Sequence, residues 1–341
     1  MKIVDDMKHI MNVAVLTAVA VLALAACKGG SRKALLPNIS GKAGEVLVVI
    51  ERADWEGQTG TLLREHLTAD CPFLPQKEPL YTLINVVPSN FGQMFQIHRN
   101  IILIHNSPEV TEPGVSYRYD KWASPQLVIT VNGADSEQCA SLVAEQAGKM
   151  INAIEQVERD RVIANTRLYQ ERSLPPAVEE LVGGTMVFPS GYSLKKRTEN
   201  FIWISYETTY VQQGIFIYKY PARGVTEELS PEALVAKRNE VLKKEVPGMV
   251  DGSYMTTSPV LAPSVKYAAY HDRKFAEIRG FWDVHGDFMG GPFVSHTFYT
   301  PDGLDLVCVE AYVYAPKYDK RLYLRQVEAL LYSFAWQTNI E

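Results

Sequence analysis

The 341 residues carry 34 Lys and Arg against 39 Asp and Glu, a formal net charge of −5. That balance supplies no basic footprint for nucleic acid. A hydrophobic fraction of 47% beside 21% charged residues belongs to a globular chain, not to a disordered or fibrous one.

The chain opens on an apolar run, Val13 to Leu24. About a dozen residues fall short of the roughly 20 a spanning helix needs and fit the 7–15 of a signal-peptide core. The run ends in Leu22-Ala23-Leu24-Ala25-Ala26-Cys27. A Leu, small residues and a Cys in that order read as a lipobox, with cleavage before Cys27 and lipid on its thiol. Asp5 and Asp6 are out of place in a basic leader, and Met7-Lys8-His9 offers a cleaner start. Residues 1–26 are therefore read as signal peptide and 27–44 as a polar tether. Several acyl chains hold firmly where one holds weakly. Lys28 after the cysteine favours the outer membrane, and the lack of an acidic run favours its periplasmic face.

The first domain is placed at 45–174. Glu45 to Ile50 reads as a strand covered on both faces, followed by a helix with Leu62, Leu63 and Leu67 on one side. Leu80–Val87, Asn100–His105 and Gln126–Val131 are further strands, with a short helix over 89–96. Asp135 or Ser136 caps a long helix whose apolar positions, Val143, Ala147, Met150, Ile151 and Ile154, follow 3.6 spacing. Its charged continuation from Glu155 to Arg172 is expected on a solvated face.

Pro175-Pro176 marks the boundary, because no helix interior tolerates that pair. The second domain, 175–341, opens with a short helix and turns at Phe188-Pro189-Ser190-Gly191-Tyr192 into a hairpin over 200–206 and 214–220. Ser230-Pro231-Glu232 starts a helix with a cap, a proline at the first position and an acid near the dipole. Strands are read at 267–270, 274–284, 293–300 and 304–314, the last two joined by the turn Pro301-Asp302-Gly303. A final helix carries Tyr323, Val327, Leu330, Leu331 and Phe334 on one stripe. The fold class is α+β: two α/β sandwiches after a signal peptide and tether.

The Phe-Pro-x-Gly-Tyr turn and Leu331-Tyr332-Ser333-Phe334 near the end resemble the PsbP/Mog1-like type, which implies an α/β/α sandwich for the C-terminal half and a binding or assembly role. The lipobox, Glu78-Pro79-Leu80-Tyr81, Phe95 with Arg99-Asn100-Ile101-Ile102, Trp122-Ala123-Ser124-Pro125-Gln126 and Phe188-Pro189-Ser190-Gly191-Tyr192 together resemble an uncharacterised lipoprotein family of Bacteroidota-type bacteria. That resemblance covers nearly the whole chain after Cys27 and implies class and location but no activity.

Four sets of residues are candidates for chemistry. Asp283, His285 and Asp287 alternate onto one strand face, and His296 on the next strand completes a set suited to Zn or Mn; a solvated turn is the bland alternative. His105 and Asn106 follow a buried strand, where open α/β sheets place ligands; the alternative is a polar strand end bonded locally. Cys71 and Cys139 can pair in an oxidising compartment, or stay thiols like Cys308. The aromatics Trp203, Tyr206, Tyr210, Phe216, Tyr218 and Tyr220 mark either core or, if exposed, a partner surface. No nucleophile elbow, phosphate loop or HExxH helix is present. The expected function is a lipid-anchored periplasmic binding or envelope-assembly module, more a non-enzyme than an enzyme, without a cofactor. Its partners are the membrane and an envelope protein or polymer, not nucleic acid. The alternatives are a metal-dependent envelope hydrolase and a small-ligand binder.

Overall fold

The computed structural model describes residues 35–337; the leader and Cys27 lie outside them. One continuous body of contacts begins at Ile39 and contains two sheets.

The first sheet is built from β1 (Glu45–Val49), β2 (Thr82–Val86), β3 (Asn100–Asn106), β4 (Gly114–Tyr119) and β5 (Leu127–Gly133), in the order β2-β1-β3-β5-β4. The first four are parallel, and β4 closes the edge antiparallel to β5. Helices α1 (Arg52–Glu56) and α2 (Gln58–Leu67) connect β1 to β2, α3 (Gln93–Gln96) precedes β3, and α4 (Ser136–Leu168) follows β5. Strands β1, β3 and β5 read as apolar runs because both of their faces are covered, though unequally. Val46, Val48, Ile102, Ile129 and Val131 pack under α2 and α4, while Leu47, Val49, Ile101 and Val128 form a smaller cluster with Val86, Leu103, Phe91, Phe95 and Trp122. Strand β4 escaped the sequence reading because its GVSYRY is short, polar on one face and half exposed.

The second sheet is antiparallel throughout. It uses β7 (Ser193–Arg197), β8 (Phe201–Glu207), β9 (Gln212–Pro221), β10 (Tyr254–Thr257), β11 (Ser264–Tyr270), β12 (Arg273–His285), β13 (Gly290–Tyr299) and β14 (Asp305–Tyr314), in the order β10-β12-β13-β14-β9-β8-β7. Strands β10 and β11 pair end to end along one edge of the 13-residue β12. At the other edge β7 carries a bulge between Leu194 and Lys196. A separate ribbon pairs β6 (Gly184–Thr185) with β15 (Ala335–Trp336).

Helices cover both faces, so the layers are α/β/α. Ile202, Ile204, Ile215, Ile217, Val294 and Val309 face α5 (Pro175–Val182) and α7 (Arg321–Tyr332). On the other face Phe201, Phe216, Tyr218, Phe293 and Tyr312 meet α6 (Pro231–Glu245). The strands of the aromatic hairpin are thus core on both sides, with Tyr210 exposed at the turn: Phe216 stacks on Tyr312 at 4.8 Å and the indole of Trp203 donates to the Tyr312 hydroxyl. The two prolines begin α5 at its first two positions, where no N–H is required. Ser230 caps α6 by accepting from the Ala233 amide.

Under α6 one charge pair is wholly buried. Arg238 donates from Nε and Nη2 to Glu310 at 2.8 and 2.7 Å, and from Nη1 to the Thr257 hydroxyl at 2.8 Å. The guanidinium also lies 3.6 Å from the Phe293 ring centre. Removing one partner strands the other charge in an apolar layer, so Glu310→Ala is expected to cost about 3–5 kcal/mol in urea unfolding. The double variant Arg238→Met, Glu310→Leu is expected to recover most of that loss.

Candidate functional site

The order β2-β1-β3-β5 reverses direction between β1 and β3, and the crevice beyond their carboxyl ends is where open α/β sheets bind ligands. Three side chains converge there. Asn106 ends β3, Asp54 lies in α1 after β1, and Ser136 opens α4 after β5. The Asn106 amide donates to both Asp54 oxygens, at 3.3 and 3.1 Å, and to Ser136 Oγ at 2.8 Å. Ser136 Oγ donates to Asp54 at 2.5 Å. Asp135 caps α4 through the Gln138 amide. The polar groups that would meet a ligand are therefore occupied with one another. His105 does not join them: strand alternation turns it to the opposite face of the sheet, where it is exposed.

The four-residue metal set is corrected by the register of β12 and β13. His296 stands opposite Glu277, whereas Asp283 stands opposite Gly290. Six residues of strand separate them, about 20 Å. His285 is exposed and stacks on Tyr254 at 4.9 Å, and Asp287 sits in the turn, accepting from the Phe288 amide. Among the described residues no group of three or more His, Cys, Asp or Glu is placed to hold a metal ion. The hairpin brings His296 alongside β12, but at the wrong level.

The cysteine pair is corrected as well. Among the described residues Cys71, Cys139 and Cys308 form no disulfide with one another. Cys139 lies in the first turn of α4, while Cys71 lies near Glu155, sixteen residues further along that helix, about 24 Å away at 1.5 Å per residue. Burial pushes the Cys71 and Cys139 thiols up to about 11, so neither has the thiolate character of a reactive cysteine.

Residues 171–333 match the family model described as a domain of unknown function, DUF4837, and residues 39–167 match a second, DUF8532. Each half is thus similar to a family of unknown function. No curated protein matches the chain. One similar solved structure is a protein of Bacteroides thetaiotaomicron VPI-5482, 10% identical with a TM-score of 0.27; the alignment covers 47% of this chain and 47% of that one, about half of its length. Another is LpqN of Mycobacterium tuberculosis, involved in cell envelope biogenesis, at 12% identity and TM-score 0.26, over 43% of this chain and 79% of that one. At those scores neither likeness carries an argument.

The motif residues of the DUF8532 half turn out to be structural. Arg99 grips Glu158 with two bonds of 2.8 Å; Arg161 donates to Glu158 at 2.6 Å and to the Asn100 side chain at 2.9 Å. Gln126 donates to the Gln96 and His98 carbonyls. The charged continuation of α4 is therefore not a solvated face, because Glu158 and Arg161 turn inward to satisfy the strand ends. Burial brings the Arg161 guanidinium down to about 10 against the pull of Glu158.

The remaining polar groups join the two halves. Glu78 accepts from the Lys320 and Arg321 amides at 2.6 and 2.9 Å, capping α7 of the DUF4837 half. Arg325 donates to the Leu80 carbonyl at 2.8 Å and pairs with Glu155, which also accepts from Tyr81 at 2.7 Å. Arg159 of α4 lies 3.5 Å from the Tyr332 ring centre. Behind Tyr332, Arg279 bridges Glu277 and Glu328, and His296 is sealed between Phe275 and Tyr332 at 4.1 and 4.7 Å. Among the described residues both His296 nitrogens lack a hydrogen-bond partner, Nε2 standing 3.5 Å from Glu277. The helical recurrence of Arg321, Arg325, Glu328 and Tyr332 beside the apolar stripe of α7 is the sequence signal for this junction.

Burial lowers the His296 imidazole below its ordinary value. Burial raises Glu277, but His296 and Arg279 outweigh it and hold the carboxyl well below the usual carboxylate range. For both groups the unfolded chain binds the extra proton. Their stability is full above the unfolded values and is lost as pH falls, first through about 6.5 and then through about 4.3. The urea midpoint is expected to fall between about pH 7.5 and pH 5.5 in the native chain. His296→Leu, which removes two unpartnered polar atoms, is expected to flatten that fall without loss at the higher pH.

Proposed function

We propose that this protein is a lipid-anchored, non-catalytic module of the cell envelope, held through Cys27 in the outer membrane and facing the periplasm, where it binds an envelope protein or polymer. The observation that carries the reading is the lipobox Leu24-Ala25-Ala26-Cys27 directly after a dozen-residue apolar run. The arrangement of the polar groups supports it. Asp54, Asn106 and Ser136 satisfy one another, and Glu78, Glu155, Glu158 and Glu310 are spent on caps and ion pairs. No helix of the described residues is long and apolar enough to cross a membrane, so the anchor in this reading is the lipid. Phe216 and Tyr218 of the aromatic hairpin are core, so they do not supply the partner surface.

Metabolic labelling with a palmitate analogue in the native cell is expected to mark the protein, and Cys27→Ala is expected to lose both the label and its place in the membrane fraction. Quantitative crosslinking of the lipidated protein in native membranes is expected to capture an envelope component in stoichiometric amount. A label retained by Cys27→Ala would overturn the anchor; no partner above background would overturn the binding role.

A further inference from the structure

Two turns stand together at one end of the second sheet. The first, residues 248–252, follows α6 and leads into β10; the second, residues 286–289, joins β12 to β13. Tyr254 and His285 are paired in the ladder, and a Cβ on Gly248 would meet Val284 at 2.7 Å. Both turns are closed by their own backbone. Gly248 donates to Ser253 at 2.9 Å and Ser253 to Val250 at 2.9 Å; Asp287 donates to Val284 at 3.1 Å and Val284 to Met289 at 3.0 Å. Gly252 and Gly286, at φ of +77° and +84°, supply the left-handed positions.

Closed turns of this kind ordinarily carry Gly, Pro, Asn, Asp and Ser. These carry Phe288, Met249 and Val250, which are 104%, 88% and 53% exposed. Three large apolar side chains face water on rigid supports and take no part in the three main cores. Lys243 and Lys244, in the last turn of α6, flank them, and Asp251 and Asp287 lie in the turns. The two acids offset the two bases, so the apolar tip is rimmed by balanced charge. Tyr254, stacked with His285 and 5.1 Å from the Lys243 ammonium, is the amphipathic ring that membrane interfaces favour.

We propose that this end of the DUF4837 half inserts shallowly into the bilayer through Phe288, Met249 and Val250. The choice of a bilayer over a protein partner rests on the lipid anchor proposed at Cys27. Residues 28–38, fully extended, span at most about 40 Å, so an anchored Cys27 keeps the body at the membrane and makes even a weak second contact effectively intramolecular.

The test supplies the tether chemically, so that it does not depend on natural acylation. The chain from Cys27 onward, carrying Phe288→Trp, is coupled through the Cys27 thiol to a maleimide lipid. The lipid is held in vesicles of phosphatidylethanolamine and phosphatidylglycerol. The fluorescence added by the new indole, read as the difference from the native chain, is expected to shift to the blue and to be quenched by brominated lipid. A Trp at Glu109, an exposed position of the DUF8532 half, is expected to do neither. Met249→Asp with Val250→Asp is expected to abolish the shift at position 288 without altering the circular dichroism. A water-like indole at 288 on tethered protein, or a shift that survives the double change, would overturn the proposal. Loss of palmitate labelling in cells would overturn the natural anchor alone.

Discussion

The carboxylate of Glu78 accepts from the amides of Lys320 and Arg321, the N-cap and first residue of a helix that begins 243 residues later in the chain. A helix start buried against another layer must find acceptors for those amides, and α7 has no capping side chain of its own. Its neighbour in the DUF8532 half supplies one. The same contact fixes Arg321 on the Pro79 carbonyl and Arg325 on Leu80 and Glu155. Because α7 also covers one face of the second sheet, its placement ties the two sheets into a single body, and Glu78 acts on both.

The long elements were legible because their signals are local. Ser230-Pro231 fixed the start of α6, and the spacing from Val143 to Ile154 fixed the buried face of α4. The covered sheet was legible in the runs around Val46 and Ile101. What the sequence hid is what depends on distant partners. Glu78 reads as one acid before a proline until Lys320 is beside it. Glu158 and Arg161 read as surface charge because nothing local says that Asn100 and the Arg99 carbonyl wait across the helix. Strand β10, four residues long, has no period to count.

The places of the candidate residues follow from pleat and register. Alternation was read over Asp283, His285 and Asp287, but β12 ends at His285 and Asp287 falls in the turn; the level of His296 depends on the register of a hairpin, and a shift of six residues cannot be seen from composition. Asn106 does lie at the crevice expected from its strand, and its meeting with Asp54 and Ser136 follows from the strand order. His105 was separated from it by one residue of pleat.

Under the lipid anchor proposed at Cys27, the outer strands of the second sheet would have a consequence for life at a crowded surface. Strand β7 is five residues long, bulged, and carries Lys195, Lys196 and Arg197. At the far side the edge of β12 is divided between two short strands, with Lys266 in β11. An unpaired strand is a template for adding another chain, and molecules confined to two dimensions by a lipid would meet one another far more often than in solution. Neither side offers a long, flat, apolar row to copy, so packing at high surface density would leave these sheets separate.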